Sequence, residues 1–436
     1  MKKILLVGNG AREHIIGETF VKRNDAQVYT YGGAKNPGLM AISAGYEVGS
    51  VSDFDRLRDF ARHIQPDFAF IGPEGPIADG AVDMLLEVGV KSASPMMTVG
   101  ALESSKSFAR DLLKKHGIPG NPEFKVFYDK EGIREFMEKL GGEYVVKADG
   151  LMGGKGVKVS GDHLDSIQDG VKYAESCIED DGHVVVEEKF VGQEFSLMSF
   201  VDGINVVSMP AVQDHKRAYD GDEGPNTGGM GTYSDANHSL PFLQDSDIRD
   251  AHNINVAVAK ALYEETGIYY KGIMYGGFIA CCDKVGLIEY NVRFGDPEAM
   301  NVLPILKTDF TDVCEAMISG ELSGLNIEFE KKATVCKYIV PNGYPDKPVK
   351  GEKIEVGEIP KGVRTYYASV DQREDGLYLS GSRAIAFVGI ADTISEASEM
   401  ASSALGTVKG PVFYRKDIGT KELIDKKVAM MEKLRA

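Results

Sequence analysis

Tryptophan is absent from this 436-residue chain, and cysteine occurs only five times. Cys177, Cys281, Cys282, Cys314 and Cys336 are scattered, odd in number and free of any Cys-x-x-Cys pair. That pattern argues against a disulfide framework and a cysteine-based zinc site, and it fits reduced core residues of a cytoplasmic protein. Long apolar runs are missing as well. The first, Ile4 to Val7, stops at Gly-Asn-Gly, too short for a signal segment or a membrane span, so it reads as a first strand.

Basic charge is in deficit: 49 Lys and Arg against 66 Asp and Glu leave a net charge of -17. Such a balance argues against a nucleic-acid or anionic-membrane surface, which needs a basic footprint. Anionic substrates must then be met by cations gathered locally. What remains, 43% hydrophobic and 26% charged residues, is the composition of a soluble globular protein with room for about three domains.

The most informative stretch is 287–298, LIEYNVRFGDPE. Read as a strand, it places Glu289, Asn291 and Arg293 on one face and sends Ile288, Tyr290 and Val292 into a core. A carboxylate and an amide oxygen two residues apart suit a magnesium ion that shares its shell with nucleotide phosphates, and an arginine beyond them can hold an anion in a planar fork. Alone, the same pattern also describes a strand with a solvated polar face.

Other segments supply the phosphate-binding partners. After Ile4 to Val7, GNGAREH stands where a strand turns into a helix, but Glu13 replaces the third glycine of a dinucleotide fingerprint. A second strand, 67–71, leads into Gly72-Pro73-Glu74-Gly75-Pro76, read as a turn; in a doubly wound sheet both loops open on the same carboxyl-end edge. Residues 104–116 (SSKSFARDLLKKH) show helical periodicity with a Ser cap and lead into a second unit. There the strand 144–150 (YVVKADG) runs into LMGGKGVKV, a glycine-rich hairpin able to fold over a nucleotide with Lys147 and Lys155, although no Walker A motif is present. Residues 184–194 (VVVEEKFVGQE) form a buried strand ending in acids, a connector able to meet an adenine edge and ribose hydroxyls. QDHKR at 213–217 precedes the glycine-rich run GPNTGGMG at 224–231, whose backbone can approach a ligand closely. His215 receives no role. Beyond residue 309 no phosphate-binding loop recurs: 333–340 reads as a strand, 342–345 as a turn, 379–389 as a hairpin about Gly381-Ser382-Arg383, 394–405 as a helix with a small-residue face and 421–434 as a charged surface helix.

Taken in order, GNGAREH, GPEGP, SKSFA, VVKADGLMGGKGV, VEEKFVGQEFS, QDHKR, GPNTGGMG and IEYNVRFGDPE resemble the phosphoribosylamine-glycine ligase family, also called glycinamide ribonucleotide synthetase, of the ATP-grasp superfamily. YRKDIG at 414–419 fits too. The resemblance implies ATP-dependent joining of glycine to 5-phosphoribosylamine through a glycyl phosphate, giving glycinamide ribonucleotide, ADP and phosphate in de novo purine synthesis. It implies magnesium, with manganese as an alternative, on Glu289 and Asn291, and nucleotide phosphates on Lys106, Lys147 and Lys155. Glu187, Glu188, Phe190 and Val191 would border adenine and Glu194 the ribose. Asp214, Lys216 and Arg293 would hold glycine and the acyl phosphate, while Gly10, Arg12, Glu13, Pro73 and Glu74 would face phosphoribosylamine. Gly277 stands where some relatives place a glutamine near the metal.

The expected architecture is a multidomain α/β enzyme. A doubly wound parallel-sheet domain covers 1–105, a two-lobed ATP-grasp domain 106–328 with a mobile lobe near 121–188, and an α+β domain 329–436. The expected assembly is a monomer or weak homo-oligomer in the cytoplasm, without nucleic-acid or membrane partners. Two readings stay open beside the main one: an ATP-grasp ligase for another carboxylate and amine, and a nucleotide-binding sensor that has lost the acceptor site.

Overall fold

The computed structural model describes residues 1–152 and 156–436. Its N-terminal region is a four-stranded parallel sheet in the order Ser43–Val48, Ala26–Gly32, Lys2–Val7 and Phe68–Ile71. Ile4, Leu5, Leu6 and Val7 are all fully buried, as continuous apolar runs of a parallel sheet covered on both faces should be. Lys2–Val7 and Phe68–Ile71 are neighbours, so the two loops that follow them do open side by side on the carboxyl edge. GPEGP is not a simple turn, because Glu74 opens a short helix, Glu74–Ala78. The expected helix at 104–116 forms as Lys106–Lys115, capped by Ser105, whose Oγ accepts from Phe108 N at 3.2 Å, and a separate helix, Met97–Ser104, precedes it.

The next unit carries a core of its own. Phe124–Phe127, Val184–Glu188, Tyr144–Ala148 and Val157–Val159 form one sheet, and Phe127, Val146, Ala174 and Val186 belong to a hydrophobic cluster confined to this lobe. Tyr144–Ala148 and Val157–Val159 pair antiparallel as the two arms of the expected glycine-rich hairpin. Across from the lobe lies an antiparallel sheet of Val206–Ser208, Gln193–Val201, Gly272–Ala280 and Val285–Asn291, backed by the helix Asp245–Thr266.

A fourth sheet joins both sides of the boundary expected at 328/329. Its central strand Ala333–Pro341 pairs with Gly231–Ser234 on one edge and Ile385–Ala391 on the other. The helix Ile394–Leu405 packs on it by its small residues: a side chain at Gly389 would come within 2.0 Å of the Ala397 carbonyl. The hairpin expected at 379–389 is not formed. Gly376–Leu379 pairs with Val370–Arg373 and Lys353–Val356 in a separate sheet, so 380–384 crosses between sheets and carries Arg383 to the interior.

Candidate active site

The strand Val285–Asn291 does not alternate strictly. Its pairing with Gly272–Ala280 steps from Gly277 opposite Glu289 to Phe278 opposite Leu287, leaving Ile288 as an extra residue, a β-bulge. Tyr290 and Val292 are buried as expected, but Ile288 is only half-buried and lines a cleft. Freed from the ladder, its carbonyl accepts from Lys147 Nζ and from Arg110, each at 2.7 Å.

That cleft, about 570 Å³, lies between the lobe and the antiparallel sheet. It gathers Lys106, Lys147, Glu187, Glu188, Phe190, Glu194, Asp214, Lys216, Glu289, Asn291, Arg293 and Glu74. Among the expected site residues, Gly10, Arg12, Glu13, Pro73 and Val191 do not line it, and Lys155 lies outside the described residues. Glu13 has a structural reason to be where it is. Its carboxylate accepts from Gly10 N and from Arg12, both at 2.7 Å, and it packs under Gly8 and Gly72. Glu13 is therefore buried beneath the loops.

Three layers of charge organise the cleft. Deepest is Glu187, which turns its carboxylate onto Arg110 at 2.7 and 3.0 Å and onto Lys147. Burial pushes this acid up, but the two cations outweigh it and hold it below the usual carboxylate range; burial lowers Lys147 in turn. Arg110 stands one helical turn after Lys106, a spacing that marks both for the same face.

The second layer surrounds Glu289. Burial opposes its ionisation, yet Lys216, Lys147, Lys106 and Arg293 together leave it below the ordinary value. Among the described residues no group of three or more His, Cys, Asp or Glu forms a metal cage. A carboxylate held ionised beside an amide oxygen nevertheless fits a hard divalent ion that completes its shell with phosphates. Gly277 pairs with Glu289, and a side chain there would press on the Glu289 carbonyl at 3.3 Å and Cγ at 3.5 Å.

The third layer is acidic. Arg293 lies 3.1 Å from Glu74, 3.0 Å from Glu103 and 3.0 Å from Asn291 Oδ1. Arg293 is the main cause that lowers Glu74 to about 2, whereas burial pushes Glu103 up to about 7. Lys216 is raised chiefly by Glu194, 3.4 Å away. Asp214 is driven well up by burial and then by Glu298, itself raised by burial and bonded at 2.9 Å to the Tyr275 hydroxyl. Sequence reasoning missed Glu103, Glu298, Tyr275 and Arg110. Glu298 and Arg110 stood inside or beside the segments already singled out; nothing in the spacing joins Glu103 to Arg293. His215, given no role, is a buried residue at the cleft wall, and its Nδ1 lies 3.2 Å from the Gly231 carbonyl.

Three family models match in succession: phosphoribosylglycinamide synthetase N domain at 2–103, ATP-grasp (A) domain at 104–299 and C domain at 334–421. The chain belongs to the phosphoribosylglycinamide synthetase family. Its fold is the three-part α/β architecture of that family, with an ATP-grasp domain in the middle. Similar relatives include the phosphoribosylamine–glycine ligases of Methanosarcina barkeri, 46% identical over 99% of this chain and 100% of that one, and of Methanocaldococcus jannaschii, 46% identical with the same coverage. The crystal structure of phosphoribosylamine–glycine ligase from Thermotoga maritima superposes with a TM-score of 0.80 at 30% identity, covering 95% of this chain and all of that one. Biotin carboxylase from Campylobacter jejuni, at 15% identity and a TM-score of 0.72 over 99% of this chain and 95% of its own, shares the fold alone.

Proposed function

We propose that this phosphoribosylglycinamide synthetase family member is a phosphoribosylamine–glycine ligase: it joins glycine to 5-phosphoribosylamine with ATP, giving glycinamide ribonucleotide, ADP and phosphate in purine biosynthesis. The observation that carries this reading is 46% identity along 99% of the chain to ligases of that name. The cleft supports it, because an acidic protein concentrates Lys106, Lys147, Lys216 and Arg293 around one ionised carboxylate.

In this reading Lys106, Lys147 and Lys155 receive the ATP phosphates, residues 187–191 border adenine and Glu194 meets the ribose. Glu289 and Asn291 would hold magnesium, with manganese as the alternative, and the ion would neutralise phosphate charge during transfer. Lys216 and Arg293 orient glycine and the charge that develops on its carboxyl as it takes the γ-phosphoryl group, while Asp214 faces the attacking amine. The work is positioning and electrostatic stabilisation, and no protein nucleophile is needed. Arg293 reaches an acyl phosphate by exchanging partners with Glu74 and Glu103, which leaves Glu74 on the acceptor side toward phosphoribosylamine. Asp214, beside Lys216, is the carboxyl group placed to receive the proton that the attacking amine releases. The lobe near 121–188 closes over nucleotide and excludes water. The domains divide near 105 and 328, and the enzyme acts in the cytoplasm as a monomer or weak homo-oligomer. No helix among the described residues is long and apolar enough to cross a membrane.

The test is ADP release from purified protein with ATP, magnesium and phosphoribosylamine generated in situ, comparing glycine, alanine, serine and no amino acid. Release that requires both glycine and phosphoribosylamine supports the reading. Release with another pair redirects it to a different ligase, and no release at all points to a nucleotide sensor.

A further inference from the structure

The C-terminal region holds the loops beside the cleft through Arg383, and its Lys427 lines the cleft itself. One terminal nitrogen of Arg383 faces the carbonyls of Gly228, Gly229 at 3.1 Å and Asp296 at 2.8 Å; the other lies 3.3 Å from the Asp296 carboxylate. The guanidinium stacks 4.6 Å over the Tyr338 ring, and the Tyr338 hydroxyl donates to that same carboxylate at 2.6 Å. Four polar contacts and an aromatic face thus fix one planar fork between two loops that come from distant parts of the chain.

What the fork holds lies directly on Asp214. Gly229 adopts φ +107°, and a side chain there would come within 2.7 Å of both Asp214 Oδ1 and Pro297 Cδ. Only glycine lets the backbone pass so close in that conformation. The same C-terminal region also covers the N-terminal loops: Tyr367 N donates to His14 Nδ1 at 3.1 Å, and Asn36 donates to the Tyr367 carbonyl at 2.7 Å. By contrast, among the described residues no hydrogen bond or ion pair joins Arg383 to Lys106, Lys147, Glu289 or Asn291. Its reach is confined to the side of the cleft away from the nucleotide.

We propose that Arg383 is a positioning residue for the second half of the reaction, in which it holds the 227–230 loop and the Asp296 turn so that Asp214 meets the attacking amine. The inference rests on the ligase reading. In the first half, the γ-phosphoryl group passes from ATP to a glycine carboxylate oxygen, giving ADP and glycyl phosphate. In the second, the amine nitrogen of phosphoribosylamine forms a bond to the glycyl carbonyl carbon. The bond from that carbon to the phosphate oxygen breaks, phosphate leaves with the electron pair, and the amine gives up a proton to the Asp214 carboxylate.

The halves separate experimentally with hydroxylamine, a small amine that intercepts glycyl phosphate to yield glycine hydroxamate and phosphate without occupying the ribose phosphate site. Arg383→Ala and Arg383→Lys should lower kcat with phosphoribosylamine about 100-fold, the usual cost of a slight misplacement at a reacting centre. Hydroxamate formation should stay near the parent rate. Guanidinium added to Arg383→Ala should restore part of the ligation, and Arg383→Lys should remain impaired because an ammonium cannot reproduce the fork. Parallel loss of both products, or loss of neither, overturns the inference while the parent still makes both. A parent protein that makes neither product overturns the ligase reading, and the inference with it.

Discussion

Glu187 sits between Arg110 and Lys147 with almost no solvent contact. Removing one partner from such a cluster leaves uncompensated buried charge. Glu187→Gln should therefore destabilise the protein by about 3 kcal/mol, seen as a lower midpoint of chemical denaturation; an unchanged midpoint would show that the cluster is solvated in solution. Glu289→Ala tests a different property. It should abolish metal-dependent turnover and leave the thermal transition intact, whereas normal activity would remove the metal assignment. Glu103 makes a prediction about pH. Its folded-state value, about 7, lies above the ordinary 4.5, so the folded chain binds its proton more tightly than the unfolded one. Its contribution to stability is then full below about 4.5 and is lost as pH rises through about 7. The stability of Glu103→Gln relative to the parent should rise across that window and level off above it. A flat difference from pH 4.5 to 7 would contradict the assignment.

At the scale of elements, the hairpin root is tied to the start of a helix. Asp149, which ends the strand side of the glycine-rich hairpin, accepts from Lys106 N and from the hydroxyls of Ser105 and Ser107, and pairs with His183 at 2.7 Å. Lys106 Nζ returns a bond to the Gly150 carbonyl at 2.7 Å. Asp149→Ala should cost about 1 kcal/mol, as the loss of a helix cap does. It should also raise KM for ATP more than KM for glycine in steady-state assays, because Lys106 and the hairpin lose their common anchor. Equal changes in the two would detach Asp149 from nucleotide binding. Elements also show where sequence reading ends. Period-two alternation found the strand Val285–Asn291 and its polar face, but alternation carries no sign of a bulge, so Ile288 was placed in the core. Its role depends on pairing with Gly277 and Phe278, a partnership that spans a turn and shifts register. The hairpin expected near 383 failed for a similar reason: two apolar runs flanking a Gly-Ser pair look like paired strands until each finds a better partner elsewhere.

Across the whole molecule, local signals and long-range ones divide cleanly. The parallel N-terminal sheet, the glycine-rich hairpin and the acids and cations of the cleft were legible because each lies in a short segment with its own chemistry. Glu103 against Arg293, Arg110 against Ile288 and Arg383 against Asp296 were not, since 87 to 190 residues separate such partners and only the fold brings them together. Glu13 was set facing a substrate by the resemblance alone; that its carboxylate accepts from the Gly10 backbone N-H shows only in the fold. The molecule's central claim is that one cleft activates a glycine carboxylate and passes it to an amine. The most direct measurement starts from glycine labelled with oxygen-18 in both carboxylate oxygens, with ATP, magnesium and phosphoribosylamine, and reads the phosphate and the ribonucleotide by mass. One labelled oxygen in the phosphate and one retained in glycinamide ribonucleotide is the predicted result; unlabelled phosphate, with both labels left in the amino acid, would contradict it.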